Sequence, residues 1–176
     1  VTATLERDGR FARWLEVEAA LARAQAELGI IPQKAAEDIS AAAHVEKLEL
    51  SRYDEFYQKT GHPMVSMLRL LEAAAGPESG QYIHLGATTQ DVMDTALMLA
   101  VKEMYELGRP KLLAIRDAVL ELCRRYAGTP MMGRTHNIQA LPITFGYKAA
   151  VWADELQRAI DRLDQSRERI LVLQLS

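Results

Sequence analysis

The chain has 176 residues, 49% hydrophobic and 26% charged, with a formal net charge of −3. That balance suits a globular domain and speaks against a broad nucleic-acid surface, which needs a basic excess. No apolar run approaches the ~20 residues of a membrane-spanning helix, and no charged-then-apolar start suggests a secretory signal, so neither nucleic acid nor membrane is expected as a partner.

In chain order the pattern is helical almost throughout. Between Leu5 and Leu28 the apolar residues Phe11, Trp14, Leu15, Ala19, Ala22 and Ala26 recur at three- and four-residue steps, which predicts one buried helix face. Gly29 stops that helix and Pro32 starts a second one, expected to run to about Lys47. A short segment from Ser51 to Lys59 follows. Pro63, after Thr60-Gly61-His62, opens a helix to about Ala75. Gly76-Pro77-Glu78-Ser79-Gly80 is the clearest break, which puts a domain boundary after Gly80: residues 1–80 form a small helical domain and 81–176 the first part of a helical bundle.

Thr88 and Asp91 have capping-box spacing and start a helix to Leu107. Gly108-Arg109-Pro110 is expected to interrupt it before another helix to about Ala127. Residues 128–141 read as a polar loop, and Pro142 as the first residue of a last helix. Along that helix Ala149, Trp152, Leu156, Ala159, Leu163, Ile170 and Leu173 form an apolar seam for long partner helices. It still runs at the chain's end, and the chain does not begin with Met, so a fragment of something longer is expected. With no convincing strand, the fold class is all-α.

Cys123 is the lone cysteine, which fits a reducing, cytoplasmic compartment and a small core residue. His44, His62, His84 and His136 are scattered without the i, i+4 spacing of a helical zinc site, and no glycine-rich phosphate loop occurs; no metal or cofactor is expected. Met64, Met67, Met93 and Met98 sit at helical spacings and read as core.

Two polar stretches stand out. In the second, Arg134 offers a planar fork for a carboxylate or phosphate, Thr135 a hydroxyl, His136 a group that titrates near neutral pH, and Gln139 an amide. His136 suits either a structural loop position or proton transfer. In the first, Thr88 and Thr89 can cap the following helix or meet an anion at its N-terminus, or divide both tasks. Asp91 would orient neighbours. His84 fits a half-buried imidazole ending an extended segment or a site residue, and His62 a loop end before Pro63 or a site residue.

The run His84-Leu-Gly-Ala-Thr-Thr-Gln-Asp91-Val-Met-Asp94-Thr95 resembles a signature block of the fumarase/aspartase superfamily, and Met131-Met-Gly-Arg-Thr-His136 with Pro142-Ile-Thr-Phe-Gly146 resembles a second. Trp14-Leu-Glu-Val-Glu-Ala-Ala-Leu with Glu27-Leu-Gly-Ile-Ile-Pro32 is similar to the opening helices of its adenylosuccinate lyase branch. The carboxymuconate cycloisomerase branch shares the Gly-Ala-Thr-Thr-Gln-Asp run but usually lacks a histidine at position 136. Gly61-His62-Pro63 mixes features of both. A non-catalytic helical assembly module is the alternative of another class.

The resemblance implies a homotetramer around a helical bundle, with active sites shared between subunits. It further implies elimination of fumarate from adenylosuccinate, and from the succinylated imidazole-carboxamide ribotide of purine synthesis. On that pattern His136 is the general acid and His62 assists at the phosphate or purine side. Thr88, Thr89 and Thr135 hold the succinyl carboxylate, with Arg134, Gln139 and His84 in the substrate site. Asn137 departs from the usual Gly and Gln139 from a frequent His. The family's flexible loop with the base serine is not among the 176 residues, so this polypeptide alone is expected to be inactive. The family's amino-terminal Arg-Tyr element is not recognisable before Leu5.

Overall fold

The computed structural model describes residues 5–175. The positions before Leu5, where the Arg-Tyr element was sought, and Ser176 lie outside them. By internal contacts the chain divides into two units, one of residues 1–103 with 171–176 and one of residues 104–170.

In the first unit, α1 (Arg7–Glu27) and α2 (Gln33–Ala42) form an antiparallel pair turned by Gly29, whose φ of 71° is the left-handed value a helix end favours in glycine. The expected stripe is real: Phe11, Trp14, Leu15, Ala19 and Ala22 are buried. Helix α2 ends at Ala42, not near Lys47. Its chain turns there through short 3₁₀ segments at Val45–Lys47 and Leu50–Arg52, which lets Leu48 enter the core. Helices α3 (Tyr53–Thr60) and α4 (Pro63–Ala75) follow, then one turn, α5 (Pro77–Gly80). Met64, Met67, Leu68, Leu70 and Leu71 of α4 pack with Phe11, Trp14 and Leu15. Each such side chain contributes roughly 1.5–3 kcal/mol by leaving water, so this cluster dominates the unit's stability. Ile31, Ala35, Ala36 and Ile39 close a second cluster around Ala22.

Helix α6 (Thr89–Arg125) is continuous through Pro110, against the expected interruption at 108–110. Proline withholds a single N–H, and the helix carries on past it with the residues beside it tied to a distant carboxylate. Arg109 grips Asp164 with two hydrogen bonds of 2.8 and 2.7 Å, and the Tyr105 hydroxyl donates to the same carboxylate at 2.8 Å.

The second unit also corrects the expected loop. Residues 130–144 form a hairpin of β1 (Pro130–Thr135) and β2 (Ile138–Thr144). Pro142 therefore lies in a strand opposite Met132, where an edge tolerates a missing N–H. The last helix, α7 (Phe145–Ile170), starts three residues later than expected. Thr144 sets its start: the hydroxyl accepts from Tyr147 N–H at 3.1 Å, as a helix cap does. Pairing of Arg109 with Asp164, and of Arg116 with Gln157 at 2.9 Å, runs α6 and α7 antiparallel in seven-residue steps. The helix stops at Ile170 instead of continuing. In the first unit Gln174 then exchanges hydrogen bonds with the Thr95 hydroxyl at 3.2 and 3.3 Å. Among the described residues the fold is all-α apart from the hairpin, as expected.

Candidate active site

The hairpin tip carries the second polar stretch. Thr135 faces Ile138 in the ladder, leaving a two-residue connection of His136 (φ 46°) and Asn137 (φ 63°). Positive φ at both central residues is the requirement of a type I′ turn, whose twist matches the strands. Asn and His are the side chains that enter this region most readily after Gly. Asn137 thus takes a left-handed backbone that Gly would also accept, and the turn is intact. Arg134 and Gln139 are direct cross-strand neighbours, so both project from one face of the hairpin. Arg134, Thr135, His136 and Gln139 are all exposed.

One irregularity shapes this tip. Met132 pairs with Pro142 but Arg134 with Gln139, so Ala140 and Leu141 oppose the lone Gly133. This is a β-bulge, a device that re-aims strand ends. A Cβ on Gly133 would lie 2.7 Å from the Leu141 carbonyl oxygen, so only glycine fits.

In the first unit, the other polar stretch enters α6. Asp91 Oδ2 accepts from Thr88 N–H at 3.0 Å while Asp91 N–H donates to the Thr88 carbonyl at 3.1 Å, which realises the capping-box spacing. The Asp91 carboxylate is therefore turned to the backbone. Thr88 is exposed and Thr89 half-buried, at the positive end of a 37-residue helix. Residues 81–86 are turns and not the extended segment considered from sequence. His84 takes a left-handed φ of 61° and Gly86 one of 71°. The His84 ring meets the buried Glu18: Nδ1 lies 2.6 Å from Oε1, and His84 N–H donates to Oε2 at 3.1 Å.

His62 caps α4. Its Nδ1 accepts from the N–H groups of Met64 and Val65 at 3.2 and 3.4 Å, which occupies that nitrogen and leaves Nε2 as the other polar atom of the ring. Met64 and Met67 are core as expected, and Cys123 is half-buried. Among the described residues no group of three or more His, Cys, Asp or Glu is placed to hold a metal ion, and no helix is long and apolar enough to cross a membrane.

The structure gathers Arg134, Thr135, His136 and Gln139 on one hairpin, and His84, Thr88 and Thr89 at one helix entrance; these sets belong to different units. Sequence reading missed Glu18 and Gln25. Both stand in the buried stripe of α1, seven and fourteen positions after Phe11, and Gln25 Nε2 donates to the Leu85 carbonyl at 2.6 Å. Polar residues inside an otherwise apolar stripe were the available signal.

Comparison with known proteins gives these features a context. A family of proteins described as Lyase matches residues 2–176. The chain is 41% identical over 167 residues to an adenylosuccinate lyase from Methanocaldococcus jannaschii, covering 95% of this chain and 36% of that protein. It is 40% identical over 163 residues to an N-acetyl-S-(2-succino)cysteine lyase from Enterococcus italicus, covering 93% of this chain and 36% of that one. Among solved structures, a fumarate lyase from Mesorhizobium sp. BNC1 is similar with a TM-score of 0.90 at 44% identity, covering 97% of this chain and 40% of its own. A β-carboxy-cis,cis-muconate cycloisomerase from Acinetobacter calcoaceticus gives 0.93 at 33% identity, covering 99% and 42%. The chain thus spans little more than a third of the length of the curated relatives it matches. With a family match over nearly its whole length and both signature blocks in place, the chain belongs to the lyase family of the fumarase/aspartase superfamily.

Proposed function

We propose that this chain is the amino-terminal part of an adenylosuccinate lyase, with residues 1–80 as a small first domain and 81–176 as the start of the central bundle. The reaction is β-elimination: a base removes a proton from the succinyl group, the C–N bond breaks, the nitrogen gains a proton and fumarate leaves. His136 donates that proton as general acid. Thr88 and Thr89, with Thr135, hold the succinyl carboxylate; Arg134, Gln139 and His84 complete the binding groups, and His62 assists at the phosphate or purine side. Fixed donors suit a step that builds charge on a carboxylate-stabilised carbanion.

The observation that best supports this reading is the I′ turn, which puts His136 at a hairpin tip next to Thr135 and Arg134. The base loop is supplied by the remainder of the protein, so the 176 residues alone are inactive. The whole protein is a cytoplasmic homotetramer with shared sites and needs neither metal nor cofactor. Exposed Tyr147, Val151 and Trp152 along α7 suit burial against another subunit.

A second reading is favoured by the succinocysteine lyase relative: the leaving atom is a thioether sulfur and not a nitrogen. The cycloisomerase reading rests on a solved relative 33% identical to this chain and on the shared Gly-Ala-Thr-Thr-Gln-Asp run. The test is full-length protein offered adenylosuccinate, N-acetyl-S-(2-succino)cysteine and carboxymuconate in parallel, with fumarate release from the first two and loss of the conjugated diene of the third followed by absorbance. His136→Asn is the informative variant because Asn keeps the left-handed backbone. Loss of fumarate release from adenylosuccinate by His136→Asn, with binding retained, is expected. Undiminished turnover would refute the general-acid assignment, and turnover of N-acetyl-S-(2-succino)cysteine alone would move the substrate to the sulfur adduct.

A further inference from the structure

Glu18 is a charged residue in a mostly apolar buried stripe. It lies in the buried stripe of α1 with Phe11, Trp14, Leu15 and Ala22, and its side chain is 1% exposed. An ionised carboxylate is costly in such a place unless it is paired and hydrogen-bonded, and an apolar side chain of similar volume stabilises a core at least as well. Its partners lie in one residue, 66 positions away: Oε2 accepts from His84 N–H at 3.1 Å, and Oε1 sits 2.6 Å from Nδ1 of the same ring.

That two-point grip fixes more than position. With Glu18 ionised the carboxylate can only accept, which puts the shared proton on Nδ1. The ring is then held with Nε2 as its remaining nitrogen, and the histidine side chain keeps 18% of its surface exposed. The backbone bond holds His84 in its left-handed conformation, which a non-glycine residue keeps only when its surroundings impose it. Two helical turns further on, buried Gln25 donates to the Leu85 carbonyl at 2.6 Å, so the same stripe grips the next residue as well. The loop so held ends at Thr88, the entrance of α6.

We propose that Glu18 is a positioning residue of the active site: it sets the tautomer and aim of His84 so that Nε2 is presented to substrate. The assignment rests on the proposed function only in taking His84 as a substrate-binding group. Glu18 itself touches no substrate.

The first test needs no substrate. In full-length protein with ¹⁵N-labelled histidines, the His84 signals, identified by their loss in His84→Gln, are expected to carry the proton on Nδ1. A neutral ring protonated on Nε2 in the wild type would overturn the proposal, whatever the variants do. The second test is a double-mutant cycle with the substrate that the wild type turns over. Glu18→Gln is expected to raise KM about tenfold or more, the scale of one charge-assisted hydrogen bond, with kcat changed far less. The Glu18→Gln/His84→Gln pair should be no worse than His84→Gln alone, because Glu18 acts through His84. An unchanged KM in Glu18→Gln, or losses that multiply, would overturn it. Failure of the wild type to release fumarate would instead strike the proposed function, leaving the proton position to decide the role of Glu18.

Discussion

Replacing Gly133 with alanine tests the claim that the bulge positions the hairpin tip. The added Cβ would meet the Leu141 carbonyl oxygen at 2.7 Å and Ile143 Cγ2 at 3.4 Å. Favourable separations between non-bonded heavy atoms begin near ~3.5 Å, so the strands must part by about half an ångström or more. Both clashing groups lie on β2, and the neighbouring pairs Met132–Pro142 and Arg134–Gln139 must share the opening. Overpacking of this kind costs about 1–3 kcal/mol. Alanine recovers about 0.4–1 kcal/mol through a less flexible unfolded chain, which leaves a net loss of up to about 2.6 kcal/mol, centred near ~1.3. Hydrogen exchange of residues 130–144 in the full-length protein is the direct assay, since a local loss of 1.4 kcal/mol speeds exchange about tenfold. Gly128→Ala is the control: nothing lies within 4 Å of its Cβ, and its exchange should stay as in the wild type. If Gly133→Ala exchanges as slowly as the wild type, the steric account of the bulge is wrong.

Gly108→Ala should stabilise the protein by about 0.5–1 kcal/mol in denaturant unfolding, because the residue is inside α6 with no atom near its Cβ; destabilisation would refute a regular helix there. Thr144→Ala should cost about 1 kcal/mol by the same measurement through loss of the α7 cap. Hydrogen bonds from Arg109, then from Tyr105, hold the Asp164 carboxyl down to about 2. A lowered carboxyl stabilises the fold above its ordinary range near ~4, and that contribution is lost as pH falls through about 2. Acid unfolding of wild type and Asp164→Asn should therefore differ above about pH 4 and converge below about pH 2; curves that coincide throughout would sink the assignment.

Helix content was legible because burial writes a 3.6-residue period into the chain, as the run from Phe11 to Ala22 displays. Local chemistry also placed Gly29, the capping pair Thr88 and Asp91, and Pro63, which occupies the first turn of α4 after the His62 cap. The family blocks identified the residues of the candidate site before any geometry was known. Hairpin 130–144 was not legible: Pro142 argued against a strand, His136-Asn137 is a weak turn signal, and exposed faces leave no apolar alternation. Nor could local rules settle whether Gly108 and Pro110 break a helix, since the contacts there reach Asp164, more than fifty positions along.

The amino-acid order by itself determined the helical class and the family, because periodicity, caps and motifs are all short-range properties. Tertiary structure alone decided where the last helix starts, how His136 is turned, and that a carboxylate buried in the first helix holds His84. The grip on His84 spans 66 positions that no local window contains, and the helix start and the turn follow from a strand pairing that no apolar period announces.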